Sequence, residues 1–168
     1  MDYEQITLAH AAQHFDRLVE IVDVVRLKQG LTAINAMAAL QSFAKRGDTA
    51  ALACDDGQLV GITCLGLCHH FIAGTEWLPV KLHLARSGIP LSTLGCSHFV
   101  YLDPDHWRAG HTSALTEAAR RSNPAITHTL SHSFATPALE TWAAKLPGMK
   151  ELEIRGPNEG RVFLREVG

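Results

Sequence analysis

The segment formed by residues 98–121, "HFVYLDPDHWRAGHTSALTEAARR", constrains the fold more than any other part of the chain. An apolar run rich in β-branched and aromatic residues ends at Asp103, a turn containing Gly110 follows, and an alanine-rich amphipathic stretch begins at Ser113. This order predicts a strand, a turn and a helix. A helix N-terminus attracts phosphate, but many plain turns also contain a glycine. The segment alone therefore fits a phosphate-binding loop and an ordinary junction equally well.

The chain before this segment predicts helices followed by a hairpin. After a short strand at residues 5–8, apolar residues recur at helical spacing from Ala11 to Val25, and Gly30 can end that helix. Thr32 is the expected cap of a second helix, which stops at Gly47. Two apolar runs around the sequence Asp-Asp-Gly at residues 55–57 then predict a β-hairpin.

The remaining segments complete an alternating pattern. Residues 75–94 lose their periodicity and are expected to form a loop or a short irregular insertion. A strand is predicted at residues 125–132, a helix after the cap Thr136, and two closing strands at 149–154 and 160–167. The order β-α-α-β-β-β-α-β-α-β-β predicts one α/β (α+β) domain over residues 1–168, with a mixed sheet.

Composition excludes several classes of function. The formal charge of −2 gives no basic field, so no nucleic-acid partner is expected. No apolar run approaches the roughly 20 residues that span a bilayer, and the N-terminus does not resemble a secretory signal. We therefore expect a cytoplasmic protein without a membrane partner, in which the four cysteines stay reduced.

The strand-turn-helix segment resembles the acetyl-coenzyme A binding motif of the GNAT superfamily of N-acetyltransferases, V-x-P-x-x-[QR]-x-x-G-x-[GA]-x-x-L. The hairpin "ALACDDGQLVGITCL" is similar to the second and third strands of that family, and the last helix and strands are similar to its closing segment. Four residues fall in register with the binding motif: Leu102, Pro104, Gly110 and Leu115.

This resemblance implies a fold, an activity and a cofactor. The fold is a mixed, mostly antiparallel central sheet flanked by helices, with splayed strands four and five. The activity is that of an acyltransferase, an N-acetyltransferase that moves an acetyl group from acetyl-coenzyme A directly to an amine. The acceptor stays open between a small molecule and a protein amino group, and a homodimer is compatible with the family.

The resemblance also assigns the cofactor-binding residues. The strand-four residues Val100, Tyr101 and Leu102 are expected next to the pantetheine arm. The residues expected to contact the pyrophosphate form the turn and the start of the helix: Arg108, Ala109, Gly110, His111, Thr112 and Ser113.

Three departures from the family pattern concern the loop and the catalytic acid. Trp107 stands where the family has Gln or Arg, and Thr112 stands where it has Gly or Ala. Ala143 occupies the place of the tyrosine that serves the family as general acid. These departures keep an alternative open, a catalytically degenerate GNAT-fold protein that acts as a binding or regulatory module.

Candidates for the general base come from the ten histidines, because an imidazole titrates near neutral pH. His98 lies on strand four and His132 ends strand five, so both are candidate bases, and Tyr101 is a candidate substitute for the missing acid. His98 and Tyr101 are three residues apart, which places them on opposite faces of a regular strand unless a bulge intervenes.

The sequence "CLGLCHH" raises the question of a metal site. On a strand, Cys64 and Cys68 would lie about 13 Å apart, too far for two zinc ligands with bonds of about 2.3 Å. We therefore expect no metal, and a metal-dependent, histidine-rich site is the weakest alternative.

Overall fold

The computed structural model describes residues 1–167, and the elements within them follow the predicted order with one addition. The elements are β1 (Asp2–Thr7), α1 (Phe15–Lys28), α2 (Ala36–Arg46), β2 (Thr49–Asp55), β3 (Gln58–Leu67), α3 (Leu78–Arg86), β4 (Leu94–Leu102), α4 (His111–Arg120), β5 (His128–Ser131), α5 (Pro137–Ala144), β6 (Lys150–Glu151) and β7 (Phe163–Glu166).

The strands form a seven-stranded mixed sheet in the order β1-β2-β3-β4-β5-β7-β6. β4 and β5 pair in parallel, whereas β1 with β2, β2 with β3, β5 with β7 and β6 with β7 pair antiparallel. The predicted fold class, a mostly antiparallel sheet with flanking helices, is confirmed. The parallel register runs from Leu94 opposite His128 to Cys96 opposite Leu130, while β4 itself continues to Leu102.

The chain forms two compact units, the first of which comprises Met1–Gly66 and Ser97–Asn123. Within it, α1 and α2 bury their apolar faces in a core that includes Leu18, Val22, Leu40 and Ile62. A second, smaller cluster buries Leu115 and Ala119 of α4. These two clusters also include Tyr101 and Leu102 at the end of β4, so the strand-turn-helix segment of residues 98–121 is packed within the first unit.

The N-terminus of α2 differs from the sequence prediction. The cap is Asn35, not Thr32, and the Asn35 side chain accepts a hydrogen bond from the Ala38 N–H at 3.0 Å. Asparagine and threonine both favour this position, so residue type alone did not decide between them. The Thr32 carbonyl instead accepts a hydrogen bond from Arg26 Nε at 2.6 Å.

The hairpin prediction is confirmed in its turn residues. Asp56 and Gly57 both have positive φ, 47° and 76°, as a two-residue type I′ turn requires. This turn joins β2 to β3, which pair antiparallel from Thr49 opposite Leu65 to Asp55 opposite Gln58, with a register shift between Ala53 and Cys54.

The second unit, Leu67–Cys96 together with the chain from Pro124 onward, contains the element that the sequence analysis missed. Part of the predicted loop at residues 75–94 is helix α3. Pro79 lies in its first turn, where proline is tolerated, and Val80 and Leu84 are fully buried one helical turn apart. The later strands are shorter than predicted, and β6 has only two residues.

No helix within residues 1–167 is both long and apolar enough to cross a membrane.

Candidate functional site

The turn between β4 and α4 has a backbone shape that few residue types adopt. After Leu102 the chain makes one short helical turn, Pro104–His106, which begins where Asp103 Oδ1 accepts a hydrogen bond from the Asp105 N–H at 3.1 Å. Arg108 and Gly110 then have left-handed φ values of 68° and 79°. A Cβ atom on Gly110 would meet nothing within 4 Å, so the space beside this turn is open.

Helix α4 begins at this turn with donors that its own cap does not use. Gly110 is the N-cap and has no side chain with which to bond the N–H groups of the first turn. Residues 108–110 are exposed and residues 111–113 are partly exposed. The six residues predicted to contact a pyrophosphate are therefore contiguous and at least partly exposed, at the N-terminus of a helix.

Trp107 anchors this turn to the end of β4 and to the apolar core. Its indole Nε1 donates a hydrogen bond to the Leu102 carbonyl oxygen at 2.7 Å, and its ring packs against both cores of the first unit. The tryptophan therefore joins the end of β4 to the turn, and the exposed part of the turn begins only at Arg108. His111 is tied down as well, by a hydrogen bond of 2.9 Å between its Nδ1 and the Tyr3 hydroxyl.

β4 has an irregular backbone between His98 and Tyr101, which a regular strand would place on opposite faces. Phe99 has a φ of 54°, so the strand departs from extended geometry between the two candidates. The Phe43 ring contacts both His98 (4.6 Å between centroids) and Phe99 (5.4 Å), and Phe99 contacts Tyr101 at 4.8 Å. His98 and Tyr101 therefore border one aromatic cluster, with an irregular residue between them.

His98 has charged neighbours that the sequence analysis did not identify. Its Nε2 lies 2.8 Å from Asp48 Oδ2, and Asp48 is also bound by Arg46, whose Nε donates to Oδ1 at 2.9 Å. Arg46 and Asp48 flank Gly47 at the end of α2. The only signal for them was a charged residue on each side of a helix-ending glycine, which we interpreted as a helix stop.

Burial and neighbouring charges have opposite effects on the pKa values of His98 and Asp48. Burial lowers the pKa of His98, and the hydrogen bond and charge of Asp48 oppose that effect without cancelling it. For Asp48, burial raises the pKa, but the hydrogen bonds from Arg46 and His98 outweigh burial and hold it below its usual value. At neutral pH the pair therefore consists of a carboxylate and a neutral imidazole, which can accept a proton.

Tyr101 is buried, and its hydroxyl oxygen accepts a hydrogen bond from Arg26 Nη1 at 2.9 Å. That bond uses an oxygen lone pair and leaves the phenolic proton to be donated elsewhere.

His132 lies in the second unit, just after the end of β5. Its Nδ1 is hydrogen-bonded to Ser133 Oγ at 2.9 Å, its Nε2 is 3.7 Å from Cys96 Sγ, and its ring is 4.5 Å from that of Trp77. Burial lowers its pKa to about 4. An imidazole with so low a pKa is a weak base.

A cavity of about 360 Å³ lies within the second unit beside His132. Its walls include Trp77, Ser133, Glu140 and Asn158. Ser133 and Asn158 both have positive φ, 53° and 55°, so two of the residues around the cavity adopt an uncommon backbone conformation.

The low pKa of His132 predicts a pH-dependent stability. The unfolded chain binds a proton at this imidazole below about pH 6.5, whereas the folded protein resists protonation down to about pH 4. The free energy of unfolding should therefore fall as pH falls through this range, by about 2 kcal/mol at most at pH 5. Urea unfolding of the unaltered protein and of His132→Gln at pH 7 and pH 5 should show a smaller fall in the variant. Equal falls in the two proteins would contradict this assignment.

Within residues 1–167 no cluster of three or more His, Cys, Asp or Glu side chains has a geometry that could hold a metal ion.

Comparison with known proteins shows structural but not sequence similarity. No family model matches the chain, and no curated protein matches it. A GNAT-family acetyltransferase from Staphylococcus aureus superposes with a TM-score of 0.65 at 10% identity, covering 99% of this chain and 100% of that one. The PaiA N-acetyltransferase from Thermoplasma acidophilum, in complex with coenzyme A, has a TM-score of 0.63 at 11% identity, with 99% of each chain covered.

A putative acetyltransferase from Salmonella typhimurium, solved with its cofactor acetyl-CoA, superposes with a TM-score of 0.62 at 12% identity, covering 100% of this chain and 95% of that one. The similarity thus extends over nearly the whole chain while the sequences have diverged. The chain has the fold of the GNAT acetyltransferases.

Proposed function

We propose that this protein is an acyltransferase, an N-acetyltransferase that moves the acetyl group of acetyl-coenzyme A directly to an amine. The observation that carries the proposal is the junction of β4 and α4, where left-handed Arg108 and Gly110 open the N-terminus of α4 to solvent. Two of the similar structures contain coenzyme A or acetyl-CoA, so the same fold binds this ligand elsewhere.

The residues at this junction fit a pyrophosphate. The N-terminus of α4 supplies backbone donors and a partial positive charge, and the open space beside Gly110 admits the phosphates. Within residues 1–167 no carboxylate forms an ion pair with the exposed Arg108, so its charge is available to a ligand. The pantetheine arm would then follow Val100, Tyr101 and Leu102 along β4.

The two protons of the transfer have candidate carriers in the first unit. Bound acetyl-coenzyme A supplies the acetyl group and, as its C–S bond breaks, a thiolate. His98 takes the first proton from the acceptor's ammonium group, which frees the nitrogen lone pair to form the new N–C bond. Tyr101 donates its proton to the departing sulfur and regains one from the nitrogen as the amide forms. Arg26 supports this second role because its hydrogen bond holds the Tyr101 oxygen in place and leaves the phenolic proton to be donated.

A second candidate function rests on α5. Ala143 stands where the family has its tyrosine acid, and its side chain is 2% exposed, so α5 offers no proton donor there. A protein that binds acetyl-coenzyme A without turning it over, as a regulatory or binding module, would have this feature. The two candidates agree on cofactor binding and differ on turnover.

Calorimetric titration separates these candidates in two steps. Acetyl-coenzyme A and coenzyme A are both expected to bind the purified protein with micromolar affinity, because most of the proposed contacts involve the pyrophosphate. Thiol release is then followed with a panel of amines comprising amino acids, polyamines and peptides with free N-termini. Release with at least one amine supports the transferase, binding without release supports the module, and no binding at millimolar ligand contradicts both.

A further inference from the structure

Outside the proposed cofactor surface, the side chains of Asp48, Arg46 and His98 form a hydrogen-bonded cluster. We propose that Asp48 is a positioning residue, which holds the His98 imidazole in one tautomer and so makes its Nδ1 the atom that accepts the proton from the acceptor amine. This inference rests on the proposed function and adds to it a residue that lies fifty positions from His98 in the chain.

The hydrogen bond between Asp48 and His98 fixes the tautomer. A carboxylate can only accept, so the Nε2 that lies 2.8 Å from Asp48 Oδ2 must carry the hydrogen. In neutral imidazole the lone pair for a new proton is then on Nδ1. Arg46 Nη2 also lies 3.4 Å from Nε2, but two donors cannot bond each other, so Arg46 orients the carboxylate rather than the ring.

The fold holds the carboxylate firmly. Asp48 is 4% exposed, and both of its backbone groups are hydrogen-bonded. Its N–H donates to the Phe43 carbonyl of α2 at 3.1 Å, and its carbonyl accepts from the N–H of Leu8, just after β1, at 3.1 Å. Gly66 gives the side chain its space, because a Cβ there would lie 2.7 Å from Asp48 Oδ2. A carboxylate held in this way can fix an imidazole without moving itself.

Aromatic packing also restricts the ring of His98. Phe43 meets the imidazole edge-on at 4.6 Å, and the positive φ of Phe99 sets the direction of the strand just after His98. The imidazole is thus held by Asp48 through its edge and by Phe43 through packing, and the His98 side chain is 13% exposed. Such an arrangement positions a base and does not leave it to sample many rotamers.

The groups around the imidazole have opposite electrostatic effects. Asp48, before β2, favours the protonated ring, and Arg46, at the end of α2, disfavours it. Cys64, on β3, adds no charge, because burial raises the pKa of its thiol well above the ordinary value. Removal of either charged partner breaks the same ion pair, yet the two removals should shift the titration of His98 in opposite directions.

The test compares Asp48→Asn with Arg46→Gln in the full chain. NMR titration of the histidine ring resonances, without ligand, should show a lower pKa for His98 in Asp48→Asn and a higher one in Arg46→Gln. In steady-state assays the kcat of Asp48→Asn should fall roughly tenfold or more, the effect of losing a hydrogen bond to a charged group, with KM for acetyl-coenzyme A unchanged. The ascending limb of its pH profile should move to lower pH.

A purely structural role for Asp48 predicts a different result, because Asp48→Asn would then lose stability while the kcat of the folded protein stayed unchanged. Shifts in the same direction, or an unchanged kcat in Asp48→Asn, would overturn the inference. If Asp48→Asn does not fold, the NMR titration of Arg46→Gln tests the inference alone. A His98 pKa that does not rise in Arg46→Gln would then overturn the inference. Absence of turnover in the unaltered protein with every amine would instead contradict the proposed function. The titration of His98 needs no ligand and no turnover, so it can fail or succeed independently of that result.

Discussion

Replacement of Gly110 by glutamate is expected to abolish binding of acetyl-coenzyme A. The substituted carboxylate would extend into the open space beside the turn, where the proposed site holds the pyrophosphate. It would repel the phosphates and could accept the backbone N–H groups of α4 that would otherwise bind them. Loss of two such charge-assisted hydrogen bonds corresponds to a fall in affinity of about a hundredfold or more. Calorimetric titration of the variant with acetyl-coenzyme A and with coenzyme A measures this loss.

Two matched variants separate charge from backbone strain. Gly110→Gln has the same shape without the charge and should bind more tightly than Gly110→Glu. Gly88→Glu places the same carboxylate at another glycine with positive φ, 72°, and open space around its Cβ, so it reproduces the strain outside the proposed site. All three should lose a similar, small amount of stability, about 1 kcal/mol, from the left-handed backbone. Unchanged affinity in Gly110→Glu would mean that the cofactor binds elsewhere.

The proposed cofactor surface could be predicted from the sequence because its residues are contiguous. Local rules place Gly110 between a strand and a helix, and one turn of chain carries every predicted pyrophosphate contact. A local rule also led to the main error in the predicted secondary structure. Helix α3 was missed because Pro79 marks a break in most contexts, although in the first turn of a helix it has no cost.

The surroundings of His98 could not be predicted in the same way. Asp48 reaches His98 across the fold, and no periodicity links residues fifty positions apart. The irregularity at Phe99 has no sequence signal either, since phenylalanine rarely adopts a positive φ and does so here under tertiary constraint. The sequence therefore offered His98 as one of two candidate bases, whereas its hydrogen-bond partner Asp48 and its orientation became visible only in the structure.

Replacement of His98 by alanine is expected to lower kcat by about a hundredfold to ten-thousandfold, the range typical of losing a general base. The affinity for acetyl-coenzyme A should be unchanged, because the proposed pyrophosphate contacts come from the turn and from α4. The loss should also depend on the acceptor. A protonated amine needs the base, whereas an arylamine, which is already neutral at pH 7, does not. The kcat ratio between unaltered protein and variant should thus be large for an aliphatic amine and small for an arylamine.

His132→Ala is the matched comparison for this prediction, since it removes the other candidate imidazole. With a pKa of about 4, His132 is a poor proton acceptor, and its removal should leave the ratio between aliphatic and aromatic amines unchanged. A large loss of kcat in His132→Ala with full activity in His98→Ala would transfer the role of base to His132. Full activity in both variants would remove both histidines from the reaction, because an imidazole that carries the proton cannot be replaced by a methyl group without a loss of rate.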